Sequence, residues 1–126
     1  MYKTNDKDFK IFEKEVRKWQ KRFGLTDWDL KIYHEEFLIE NALAMCECEH
    51  LSRAAKITLN IKWSIPPIKK DIKRYAFHEV CELLLARIND LAYDRFVCAD
   101  NIEEEKHTII RRMENGIWDK NQQETD

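Results

Sequence analysis

The sequence predicts an α+β domain in which one helix precedes three strands and two helices follow them. Three observations carry that prediction. Apolar residues recur at spacings of three and four over about residues 6–23, 68–92 and 101–115, they alternate with polar ones over 28–36 and 55–63, and the chain has only two glycines and two prolines. At 126 residues one domain is expected, over 1–118, with 119–126 as a disordered tail.

The first helix places Phe9, Phe12, Val16, Trp19 and Phe23 on one face, and Gly24 is positioned to end it. After the turn at 24–27, Trp28, Leu30 and Ile32 alternate with Asp29, Lys31 and Tyr33, the pattern of a half-buried strand. A second strand is expected at about 42–49. In 55–63, Ile57, Leu59 and Ile61 take one face and Lys56, Thr58, Asn60 and Lys62 the other. Short connections make a three-stranded antiparallel meander the expected sheet. Trp28 and Trp63 belong at the edges of its core, while His34 and His50 read as exposed strand-end residues without a role.

Pro66 and Pro67 suit the first turn of the long central helix, where a missing N–H is harmless. Asp100 and Glu103 read as a capping box for the last helix, over 101–115. Ile102, Ile109, Ile110 and Met113 form its expected buried stripe, and Gly116 its stop.

Charge and composition exclude several function classes. Twenty-two basic residues face 24 acidic ones, and the densest basic cluster, Lys69–Arg74, is interrupted by Asp71 and lacks interleaved aromatics, so no nucleic-acid partner is expected. No apolar run approaches the ~20 residues of a membrane span. The first residues lack the apolar segment of a signal peptide, so a cytoplasmic location is expected, with the four cysteines as reduced thiols. Cys46 and Cys48 would share one face of a strand, but without a CxxC pair the cysteines read as small buried hydrophobes.

The chemistry is concentrated in AFHEVCELLLAR, residues 76–87, where His78, Glu79 and Glu82 interrupt an otherwise apolar run. Burying a carboxylate without a partner costs several kcal/mol or forces it to neutralise. Compensation must come from solvent, from a basic neighbour such as Lys73 or Arg74, or from a metal ion. His78 and Glu82, four apart, stack on one helical face. In HExxH metal hydrolases, side chains at those two positions hold zinc and the glutamate after the first histidine polarises the attacking water. Here Glu82 stands in the second position, and a carboxylate ligand lowers the net charge of such a site and makes its water less acidic. His107, at the inward edge of the last helix, is the candidate third ligand, and Glu103, four residues earlier, the group that would orient its imidazole.

Over about residues 9–115 the sequence resembles a family of short phage and prophage metallopeptidases with a minimal zincin-like fold. The resemblance runs through FGLTDW, AAKITLN, AFHEVCELLL and KHTIIRRME, in the family's order and spacing. It implies a zinc-dependent metallopeptidase, with Zn2+ or another divalent ion as cofactor, a peptide or protein as substrate, and the cytoplasm of a bacterium or phage-infected host as location. His78 matches the family's first ligand, Glu79 its catalytic base, Glu82 its second ligand position and His107 the histidine of its C-terminal motif. Two departures accompany the match: Glu82 replaces a histidine, and Lys106 replaces a glutamate usual before His107. They leave a second reading open, in which a zincin-like scaffold has lost catalysis and binds a phage or host protein.

Overall fold

The computed structural model describes residues 1–37 and 42–120. In chain order the elements are β1 (Tyr2–Lys3), α1 (Asp6–Arg22), β2 (Asp29–Glu35), β3 (Ala44–Glu49), β4 (Ala54–Asn60), β5 (Lys62–Trp63), α2 (Lys69–Tyr93) and α3 (Ala99–Met113). A π-helical turn, Glu114–Trp118, follows α3. The α+β class holds, and the helices and the larger sheet share one hydrophobic core.

Asn5 starts α1 with a capping box: its side chain accepts from Asp8 N at 2.8 Å, and the Asp8 carboxylate accepts from Asn5 N at 3.0 Å. Phe12, Val16 and Phe23 are buried along the predicted face. Gly24, at φ +63°, turns the chain out of the helix in the left-handed region that glycine adopts without steric cost.

The sheet differs from the expected meander. β4 lies in the middle, parallel to β2 from Asp29↔Ala54 to Glu35↔Asn60 and antiparallel to β3 from Ala44↔Leu59 to Glu49↔Ala54. Burial explains the order. On β4 the residues Ala55, Ile57, Thr58, Leu59 and Asn60 are all buried, whereas the second half of β3, Glu47–Glu49, is exposed and suits an edge. Asn60 is tolerated inside because its amide donates to Ala42 O at 2.9 Å and its carbonyl oxygen accepts from Lys62 N at 3.1 Å. A parallel pair needs a long crossover, and the connection that carries β3 supplies it.

The strand expected over 55–63 divides at Ile61. Beyond it, Lys62 and Trp63 pair with β1 in a separate two-stranded ribbon, which buries Trp63 completely. Pro66 and Pro67 lie just ahead of the α2 N-cap, Ile68, rather than in the first turn.

α2 packs against α1, β3 and α3, and buries Ile72, Ala76, Val80, Leu83 and Leu84, as a helix apolar nearly all round should. α3 starts two residues earlier than expected. Asn101, not Glu103, supplies the side chain that accepts from the N-cap backbone, at Cys98 N, 3.2 Å away. The buried stripe is narrower too: Ile109 is buried, whereas Ile102, Ile110 and Met113 are exposed, because α3 meets the core along a single line.

Gly116 does not stop this last helix. The chain passes through the π turn and stays helical at Asp119 and Lys120, the first two residues of the expected tail, and 121–126 lie outside the described residues. Glycine is required at 116 for closeness: a Cβ there would stand 2.4 Å from the carbonyl oxygen of Arg22 at the end of α1. Cys48 and Cys98 are exposed, so the reading of all four cysteines as buried hydrophobes fails for these two. Among the described residues no helix is long and apolar enough to cross a membrane.

Candidate functional site

α2 presents its polar residues in two directions. His78 and Glu82 point outward, with side chains 63% and 61% exposed, and His78 Nε2 lies 3.5 Å from Glu82 Oε1. Glu79, 100° around the helix, is turned into the protein and is only 6% exposed. Its carboxylate forms no hydrogen bond or ion pair among the described residues. Burial therefore pushes its pKa up from 4.5 to about 7, with neighbouring His78 pulling it down and Glu82 pushing it up. Near neutral pH this group gains and loses a proton.

β3 runs alongside α2 in the same direction. Cys46 lies within electrostatic reach of Glu79 and Glu82, Cys48 within reach of Glu82 and Asp90, and His50 Nδ1 is 2.7 Å from Asp90 Oδ2. The two thiols lie on the same strand face, as their spacing predicts, with sulfurs 3.7 Å apart. That contact holds Cys46 well above the ordinary thiol range, with burial adding to the rise, and lowers Cys48.

His107 is placed differently. Its side chain is 68% exposed, and Nδ1 sits 2.9 Å from the backbone oxygen of Glu103, one turn back on its own helix. The Glu103 carboxylate is 3.8 Å from His107 Nδ1, but its closer partner is Lys106 Nζ at 3.1 Å. His107 borders a surface recess lined by Glu104, Thr108, Arg111, Arg112 and Asn115, all from α3 and the turn after it. The structure thus brings together His78 with Glu82, and Glu103 with His107, as two separate pairs.

This arrangement bears on zinc directly. Ligand atoms about 2 Å from one ion stand about 3–4 Å from each other, which the His78–Glu82 pair satisfies. A zinc centre needs at least one more protein ligand. Among the described residues no three His, Cys, Asp or Glu side chains are grouped so as to hold a metal ion. The described residues, as placed, do not make up a zinc centre.

Sequence reasoning gave His50 no role, yet it is half-buried and paired with Asp90 from α2, 40 positions away. The approach is close enough for an ion pair but not along a hydrogen-bond direction, which leaves Nδ1 without a hydrogen bond. His34 is likewise not a free strand end: it stacks on Phe9 at 5.1 Å and bonds Thr4 Oγ1 at 2.7 Å, and burial lowers its pKa. No local spacing signals either contact. No protein-family model, curated protein or solved structure matches the chain.

Proposed function

We propose that this chain is a zincin-like scaffold that has lost peptide hydrolysis and acts as a binding module for a phage or host protein. The observation that carries the reading is the His78–Glu82 pair, which faces solvent with no third ligand beside it among the described residues. The family resemblance supports the architecture, and the Glu82 replacement supports the loss of activity. The test is metal content of the purified chain, its melting temperature with zinc and with a chelator, and its cleavage of an unstructured protein. The expected outcome is no bound metal, no change in melting and no cleavage. Stoichiometric zinc that disappears in His78→Ala would overturn it.

One observation favours the metallopeptidase reading instead. Glu79 titrates near neutrality, where a general base works best. Glu82→His, which rebuilds the HExxH pattern, separates the two readings: tighter zinc binding with cleavage that depends on Glu79 supports the peptidase, and no gain in zinc binding supports the scaffold.

A further inference from the structure

Beyond Glu82, the far half of α2 borders a cleft of about 320 Å3 walled by α3, the β3–β4 turn and the segment after α1. That volume lies at the small end of the range for ligand sites. Trp28 and four leucines supply the apolar lining. The polar lining is dominated by guanidinium groups, Arg53 from the turn, Arg87 from α2 and Arg112 from α3, joined by His50 and opposed by one carboxylate of the lining, Glu105.

Two of the arginines are held in place from behind. Arg112 Nη1 donates to the carbonyl oxygens of Phe23, at 3.0 Å, and of Gly24, and its Nη2 is 4.0 Å from Asp27. Arg53 donates to the same Asp27 carboxylate. A guanidinium carries five N–H donors, so each keeps several unspent after these contacts. Arg87 makes no ion pair or hydrogen bond among the described residues. Asp27 is outside the lining and serves to orient two of the donors, while Asp90 occupies His50.

A separate observation points the same way. Arg53 has φ +52° and is the only non-glycine residue in the left-handed region among the described residues. That conformation is costly for a side chain with a Cβ, and backbone strain concentrates at ligand sites. Glycine would remove the strain, yet the position holds an arginine whose side chain lines the cleft.

We propose that this cleft binds an oxyanion, a phosphate or a carboxylate, carried on a small ligand whose body lies against Trp28. Planar forks from three elements, those of Arg53 and Arg112 held in place, match the paired oxygens of such a group. The inference goes beyond the scaffold reading and does not depend on what happens at His78.

The test uses the full chain, titrated with inorganic phosphate and separately with benzoate, each against sodium chloride at equal ionic strength, with amide chemical shifts as the readout. The expected result is a saturable response at cleft residues to at least one of the two. A stronger response to phosphate identifies a phosphoryl ligand, and a stronger response to benzoate a carboxylate. Arg87→Gln should weaken binding about tenfold, as removal of one charge-assisted hydrogen bond does. Arg53→Gly, which suits the observed backbone and keeps the turn, should weaken it as well. Responses no larger than those to chloride, or equal affinities in wild type and both variants, would overturn the proposal.

Discussion

The two halves of α2 hold their polar groups in opposite situations. In the first half, His78 and Glu82 form an ion pair with each other on the surface of one helix. In the second, Arg87 and Asp90 face side chains delivered by the β3–β4 turn and, at Arg87, by α3. An i,i+4 pair is a free consequence of helical geometry, so HExxE brings two groups together in any helix. A third group has to come from tertiary packing. Here that packing converges on the far half of the helix, where the sequence carries no motif, and not at the half that carries one.

The largest expected effect tests what the first half has buried. Glu79 has a folded-state pKa of about 7 against 4.5 unfolded, so between those values the folded state binds more protons than the unfolded one. Stability is therefore undiminished below about pH 4.5, falls as pH rises towards 7, and levels off above it. The upper limit of that loss is about 3 kcal/mol. Glu79→Gln should abolish the fall and leave the variant more stable than wild type at pH 8, by roughly 2–3 kcal/mol in urea unfolding. Parallel stability–pH curves for the two proteins would show that Glu79 is compensated after all, and the contrast between buried Glu79 and exposed His78 would lose its meaning.

A smaller effect is expected where the wall of the cleft is anchored. In Gly116→Ala the new Cβ collides with the Arg22 carbonyl, which is backbone and cannot swing aside. Overpacking of this kind costs about 1–3 kcal/mol. The displaced π turn should also disturb Arg112 and its grip on Phe23 and Gly24, which amide shifts around the cleft would report. Shifts centred on His78 instead would break the separation of the two halves.

His78→Ala should do least. An exposed i,i+4 pair contributes about 0.5 kcal/mol or less, and unfolding curves of the variant and wild type should nearly superimpose. A loss of more than about 2 kcal/mol would mean that His78 has a partner beyond Glu82.

Much of the fold is legible in the sequence, for definite reasons. The 3.6-residue period places α1 and α2 to within about a residue of their ends, and alternation locates β2 and β4. Trp28 and Trp63 lie in the core where their size suggests. Alternation does not distinguish a central strand from an edge strand whose polar face is wet. Thr58 and Asn60 read as solvent-facing for that reason, and the sheet order goes astray with them. On α3 the apolar stripe is real, but its width in sequence exceeds the line along which the helix meets the core. Of the candidate site, the His78–Glu82 register is readable from spacing alone. The placement of His107, the His50–Asp90 pair and the gathering of Arg53, Arg87 and Arg112 depend on packing between distant segments, which no local pattern encodes.

The central position of β4 also sets an order in time. Pairing β3 with β4 closes only the turn at residues 50–53, whereas pairing β2 with β4 closes the whole stretch 36–53. Chain-closure entropy favours the shorter loop, so the antiparallel hairpin should form first and offer β4's free edge as a template on which β2 aligns. Pulse-labelled hydrogen exchange during refolding should then find β4 amides bonded to β3 protected ahead of the amides shared between β2 and β4. The reverse order would mean that the helices, rather than the hairpin, bring the parallel strands together.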